Sequence, residues 1–454
     1  MSRSKKIQKA IAVENFFDKY VPSPFGIAII LTIGVMVWAI FTMSGEISSN
    51  FTEVLQMWEK GIWNQNLLVF AYQMMLILVL GHILVLSQPM EKLLSFLTQQ
   101  INTTSKAVAI VSITTMLMAF FNWGLGLIFG AILVRKIGEV SQQNNYNINY
   151  PLVGATGYIG LMVWHGGISG SAPLKVAEQG HLSSLTDIKV PAFIETSLTI
   201  FSLENLIIFM ILLLFMPLFF IFLSKKYKYR NQPIVQNLRS PQKTNTGKVG
   251  FENNKVYGIG FGVLILVAFF LQYTDQLYSL RLTPNMLNFF MLGMIFILHQ
   301  NFTNFLQALQ EAVGDVSGIL IQFPLYFGIM GIMKDSGLAL QIAEFFVSIS
   351  NAETLPIFSF LSAGLLNIFV PSGGGQWAIQ GPIIIESSNQ LGVPLPKMIM
   401  AMAYGDQITN MLQPFWALPL LAITKLKAHQ ILPYTIWMFI AGSLIFIFGL
   451  MFIY

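Results

Sequence analysis

The chain has 454 residues, of which 55% are apolar and only 10% charged, with a net charge of +5 and no cysteine. A soluble domain carries about 25% charged residues, so there is too little charge here to solvate a surface of this size and most of the chain is expected to face lipid. Disulfides and thiolate metal sites are excluded, and no nucleic-acid partner is expected.

Arg3, Lys5, Lys6 and Lys9 are followed by polar sequence and then by an apolar stretch at about 22–43, with no small-residue cleavage site. This predicts a first transmembrane helix rather than a secretory signal. Further spans are predicted at about 67–87, 198–223, 256–272, 284–300, 317–333 and 433–453, and broken spans at 151–177 and 397–424. Each approaches the ~20 residues that a helix needs to cross. Two more apolar stretches, 107–140 and 354–389, have a Gly-rich interruption in the middle and arms of about 14–16 residues. Such arms suit a re-entrant hairpin that enters and leaves by one face.

With the N-terminus inside and both interrupted stretches as hairpins, nineteen Lys and Arg fall inside, eight of them in the loop 224–255, and six fall outside. The positive-inside rule favours this orientation. The segment 301–316 resists it, having Glu311 and Asp315 and no Lys or Arg. The loop itself reads as a polar connector between halves.

The two halves repeat a pattern. Asn122 and Asn367 lie 245 residues apart, and Ser169 and Asn410, like Pro173 and Pro414, lie 241 apart. The order span, hairpin, broken span, span occurs twice, with opposite orientation under the topology above. We therefore expect an all-α polytopic membrane protein with inverted-topology repeats, each holding a re-entrant helical hairpin and a broken transmembrane helix. The repeats are expected over 1–223 and, with an extra leading helix, over 256–454.

The interruptions carry the chemistry. Backbone that leaves the helix inside hydrocarbon must be received by protein or a wet cavity, and the free amides at a helix N-terminus bind carboxylates without Arg or Lys. Asn122, Trp123, Gly124 and Gly126 at the first tip, Ser169 and Ser171 at the first break, Asn367, Ser372, Gly373, Gly374 and Gly375 at the second tip, and Asn410 at the second break are the expected substrate-binding positions. Glycine there can equally serve close helix packing. Pro173, Pro371 and Pro414 are expected to keep their segments broken. An acid at depth is costly unless a cavity, a partner or a proton joins it, so Asp406 is expected to hold a coupling ion, H⁺ or Na⁺, with Asn122 and Asn367. Gln73 and Gln322 read as interhelical hydrogen-bond partners. His82, His165 and His299 read as background, His165 being the best placed for a pH-sensitive role.

Enzyme motifs are missing. Gly373-Gly374-Gly375-Gln376 lacks the Lys-Ser/Thr of a phosphate loop, Gly124-Leu125-Gly126 follows no strand, and His165-Gly166-Gly167 has no Gly-x-Ser-x-Gly turn with it. An intramembrane enzyme using His82 or His165 is a remote alternative.

The motifs Phe121-Asn122-Trp123-Gly124-Leu125-Gly126, Gly167-Ile168-Ser169-Gly170-Ser171-Ala172-Pro173-Leu174, Val370-Pro371-Ser372-Gly373-Gly374-Gly375-Gln376-Trp377 and Ala403-Tyr404-Gly405-Asp406, with Gln413-Pro414-Phe415-Trp416, resemble the bacterial short-chain fatty acid transporters of the AtoE type over nearly the whole chain. That family is similar to the ion-transporter superfamily of carboxylate carriers. His165 stands where the family pattern has a small residue, and Gln376 where it has His. The resemblance implies a homodimer through scaffold helices, elevator-like movement of the hairpin-bearing part, and substrates such as butyrate or acetoacetate. A symporter in a bacterial inner membrane is therefore expected, with the N-terminus cytoplasmic by the charge count and no cofactor beyond the coupling ion at Asp406. By position, Asn122 and Ser169 would serve one half-site, and Asn367, Ser372 and Asn410 the other. A short acyl tail is expected against Trp123 or Trp377. A dicarboxylate or amino-acid substrate is the alternative, and it would need a second charge partner.

Overall fold

The computed structural model describes residues 22–226, 250–278 and 283–454. The expectations for the basic N-terminal residues and for 227–249, most of the basic loop, lie outside the described residues. All regular structure among the described residues is helical.

The first series opens with Pro24–Thr42 (α1), capped by Ser23 with proline at the first helical position, where a fixed φ suits the turn and no N–H is missed. It continues with the amphipathic Ile47–Ile62 (α2), then Gln65–Val85 (α3) and Gln88–Thr98 (α4). Thr104–Phe121 (α5) and Trp123–Gln143 (α6) follow, then Tyr150–Tyr158 (α7), Ser171–Val176 (α8) and Leu203–Lys226 (α9). Lys255–Tyr278 (α10) stands alone. The second series is Pro284–His299 (α11), Phe302–Ala312 (α12), Ser317–Asp335 (α13), Leu338–Ser348 (α14), Leu355–Phe369 (α15), Gly373–Leu391 (α16), Leu395–Thr409 (α17), Pro414–Thr424 (α18) and Ala428–Phe452 (α19). Element by element, α11–α19 run in the same order as α1–α9.

The two series interlock. α1 and α2 pack on α13 of the second series, while α11 and α12 pack on α3 of the first. The α2–α13 crossing depends on glycine: a Cβ on Gly61 would lie 2.5 Å from the carbonyl oxygen of Phe327.

Six helices among the described residues are long and apolar enough to cross a membrane, namely α1, α3, α5, α9, α10 and α19. Their outer faces are apolar, with Leu218 66% and Leu271 81% exposed, as expected where hydrocarbon replaces water.

Both interrupted stretches fold back on themselves. A Cβ on Gly126 would lie 2.4 Å from the Ala119 Cβ, and one on Gly130 would lie 2.9 Å from Thr115 Oγ1, so α5 and α6 run antiparallel and nearly touch. Gln376 Nε2 donates to the Ala363 carbonyl at 2.8 Å and Gln380 Nε2 to Ser362 Oγ at 3.0 Å, which sets α15 against α16 in the same way. The helices outrun the expected arms: α5 has 18 residues, α6 21 and α16 19, whereas α15 has 15. Arg135 lies within this longer α6. It is buried in the helix, 3.4 Å from Glu139 one turn on, and donates to the Ile423 carbonyl at 2.9 Å.

Candidate substrate and coupling site

Each broken helix ends its first part in a tightened turn. α7 passes into a 3₁₀ turn at Ile159–Met162, and α17 into one at Asn410–Leu412. The chain then runs non-helically to Gly170 in the first case and Gln413 in the second, before α8 and α18 begin. Pro414 is the first residue of α18 and Pro173 the third of α8, positions that need no intrahelical amide donor. Pro371 lies in the turn between α15 and α16.

The tips are capped from within. Asn122 is extended and accepts the Leu125 amide at 2.9 Å, ending α5 and starting α6. Ser372 accepts the Gly375 amide at 3.2 Å and starts α16. These are N-caps. The amides of Gly124, Gly373 and Gly374 lie in first turns and have no intrahelical acceptor.

Each tip is stitched to the break of its own half. Ser169 Oγ accepts the Trp123 amide at 3.0 Å, and the Ile168 amide donates to the Phe120 carbonyl at 2.7 Å. In the second half, Asn367 Nδ2 reaches the Asp406 carbonyl at 2.7 Å, Thr409 Oγ1 at 3.0 Å and Asn410 Oδ1 at 2.9 Å. Gln413 Nε2 donates to the Asn367 carbonyl at 2.5 Å.

The halves then meet. His165 Nδ1 lies 2.5 Å from Asp406 Oδ2, with both side chains buried. Gln407 Oε1 accepts the amides of His165 at 2.9 Å and Gly166 at 3.1 Å. Both contacts join the segment that follows the first 3₁₀ turn to the helix that precedes the second, so the two breaks meet out of register. The second tip closes on the same place: a Cβ on Gly373 would lie 2.7 Å from His165 Cε1, and one on Gly374 would lie 4.0 Å from Ser171 Oγ.

Aromatic rings line the first tip. Trp164 stacks on His165 at 4.5 Å, and Trp123 meets Trp164 edge-on at 6.1 Å and Trp416 at 5.1 Å. Phe70 joins Trp123 and Trp416. Of the two tryptophans expected near an acyl tail, Trp123 is in this group. Trp377 instead donates its indole N–H to His181 Nε2 at 3.0 Å, in the loop after α8.

Asp406 Oδ1, Gln413 Oε1, Gln376 Oε1 and the indole N–H of Trp164 are buried with no hydrogen-bond partner. No Lys or Arg pairs with Asp406 among the described residues. Gln73 donates to Asn285 of α11 at 2.8 Å, the interhelical role expected of it. Gln407 joins the site beyond the residues singled out in the sequence. His165, read there as background though the best placed of the three histidines, joins it as well, and its position beside the Gly166-Gly167 break was the available signal.

The model of the short chain fatty acid transporter family matches residues 5–453. A protein of Escherichia coli (strain K12), whose name gives it provisionally as a short-chain fatty acid transporter, is 33% identical over 448 residues, covering 96% of this chain and 97% of its own. One from Haemophilus influenzae with the same name is 33% identical over 449 residues, covering 97% and 98%. Among solved structures, the Alcanivorax borkumensis YdaH transporter is similar at a TM-score of 0.42 and 13% identity, covering 94% of this chain and 98% of its own. Neisseria gonorrhoeae MtrF, described within a class of antimetabolite efflux pumps, is similar at a TM-score of 0.40 and 14% identity, covering 96% of each. With its apolar helices and its match along nearly the full length, this chain is a multi-pass membrane transporter, not an enzyme, and belongs to the short-chain fatty acid transporter family.

Proposed function

We propose that the protein is a secondary active symporter of short-chain monocarboxylates such as butyrate or acetoacetate, in a bacterial inner membrane with the N-terminus cytoplasmic. The observation that carries this reading is the convergence of two capped tips and two broken helices on one buried cluster without a Lys or Arg among its pairings. Helix-start amides at Gly124, Gly373 and Gly374 are suited to a single carboxylate. The rings of Trp123, Trp164 and Trp416 offer a short tail an apolar wall. A dicarboxylate would leave its second charge unmatched.

In this reading the two series are inverted repeats and the hairpins are re-entrant. The repeated element order supports the first, and the antiparallel arms support the second. The hairpin-bearing part would move elevator-like against scaffold helices that pair two copies in a homodimer. Coupling is to a cation at Asp406.

The test is uptake of labelled butyrate into proteoliposomes, with protein-free vesicles subtracted because neutral short acids cross lipid unaided. Saturable uptake is expected, and Asn122→Ala with Asn367→Ala is expected to abolish it. Losing the Asn122 cap costs about 1 kcal/mol, so thermal unfolding is checked alongside. Wild-type uptake by the double variant would remove these residues from the site. Stabilisation of the protein by succinate but not butyrate would overturn the substrate class.

A further inference from the structure

The two oxygens of Asp406 are in different states. Oδ2 is held by His165 Nδ1, while Oδ1 is buried and has no partner. On its other side, His165 Nε2 accepts the Ala172 amide at 3.0 Å. That bond leaves the ring proton on Nδ1, pointing at the acid. With Asp406 ionised, the pair would keep a negative charge away from water, and a charge placed so calls for a cation.

The surrounding oxygens decide which cation fits. Gln407 Oε1 already receives two amides, and Thr409 Oγ1, Asn410 Oδ1 and the Asp406 carbonyl all receive Asn367 Nδ2. The Asn367 carbonyl receives Gln413, and the Asn410 carbonyl receives the Tyr158 hydroxyl at 2.8 Å. Among the buried side-chain oxygens of the site, Asp406 Oδ1, Gln413 Oε1 and Gln376 Oε1 remain unclaimed. A hard metal ion gathers roughly six oxygens, whereas a proton needs one.

Resting on the carrier reading above, the geometry points to the proton as the coupling ion, bound on Asp406 Oδ1, with His165 as the positioning residue that makes the site proton-selective. An O–H bond forms at Oδ1 when the site faces the side of higher proton activity, and breaks on the other side. His165 keeps its own proton throughout, because giving Nε2 a second one would break the Ala172 bond at the start of α8. By occupying Oδ2, its ring also denies a metal ion the second carboxylate oxygen.

Other ionisable groups on the packed elements are few. α17 brings Tyr404, which donates to Asn205 at 2.8 Å, and Lys397 at its start. α7 brings Tyr158, whose hydroxyl is engaged as above, and Tyr150, which donates to the Thr424 carbonyl. α8 brings Lys175, paired with Glu178 at the surface. α16 contributes Glu386, and α19 His429 and Tyr434, while α15 contributes none.

The experiment has two arms. In proteoliposomes, an acid-outside gradient without sodium should drive saturable accumulation, and a sodium gradient at equal pH should not. His165→Ala should lower the ratio of proton-driven accumulation to substrate exchange by about tenfold, a usual size for coupling between two ligands. His165→Asn, which can again offer an N–H to Oδ2, should recover most of that loss. In the second arm, infrared difference spectra should show a protonated-carboxyl band that is absent from Asp406→Asn and unmoved by sodium. Sodium-driven accumulation at clamped pH, a wild-type ratio in His165→Ala, or a band that sodium removes would each overturn the proposal. If no short carboxylate is transported, the substrate reading falls by itself, and the infrared band still decides the ion.

Discussion

At the tip of the second hairpin, two adjacent glycines face different constraints. A methyl group on Gly373 would press on the ring atoms of His165 and Trp164 at 2.7 and 2.9 Å, both held by stacking. A methyl group on Gly374 would meet nothing closer than 3.9 Å. Gly373→Ala is therefore expected to destabilise by about 1–3 kcal/mol, the usual cost of overpacking, and to slow transport by displacing His165. Gly374→Ala should be neutral or slightly stabilising, since alanine favours helix over glycine by up to ~1 kcal/mol. Thermal unfolding of the two variants checks the contrast, and equal effects would contradict the close approach at Gly373. The same pair marks how far sequence alone reaches. A run of three glycines announces a special backbone, but not which member has a ring against its Cα.

Among elements, the loop after α8 lies across the second hairpin. His181 accepts the Trp377 indole N–H, a Cβ on Gly381 would lie 3.2 Å from Leu185, and Thr186 reaches Glu386 at 3.5 Å. Burial lowers the pKa of His181 and the Lys175 charge lowers it further, with Glu178 opposing. A histidine lowered in this way is neutral when docked and charges more readily when released, so proton binding favours release. The docked loop should be fully stable above the ordinary histidine value near 6.5 and should weaken as pH falls from there toward the lowered value. Its imidazolium would face the indole donor with a second donor. Amide exchange over residues 177–198 should quicken across this interval, and Trp377→Phe should flatten the step. A pH-independent exchange rate in the unaltered protein would count against the contact.

The helices and their order were legible from apolar length, Gly-rich interruption and proline. The tips were legible too, because a Gly-rich interruption with Asn or Ser beside it breaks an apolar run, but that Asn122 and Ser372 cap the helices that follow was not. Less was visible of the pairings. His165 reads as the best placed of three background histidines until its break meets α17, and nothing in the local pattern around Arg135 announces the Ile423 carbonyl that receives it. These are contacts across more than two hundred residues, and local pattern carries no record of them. The hairpin turns can be checked directly because the chain has no native cysteine. Thr103→Cys and Gln142→Cys, at the two open ends of α5 and α6, should label from the same face of the membrane. Labelling from opposite faces would undo the antiparallel arrangement.

For the molecule as a whole, the exchange of leading helices is the dominant fact. α3 packs mainly on α11 and α12, and α13 mainly on α1 and α2, so each series takes the larger part of the cover for its central span from the other. Residues 1–238 and 239–454 produced separately should each fail to fold, and co-production should restore uptake. Independent folding of either part would show that the interlock is dispensable.

The contact between His165 and Asp406 also limits how the two breaks can shift. Gln407, next along the same helix, fastens the amides of His165 and Gly166 as well. Separating the two would strand a buried carboxylate and two backbone amides at once, a loss of several hydrogen bonds where no water can replace them. Whatever displaces one break must therefore carry the other along.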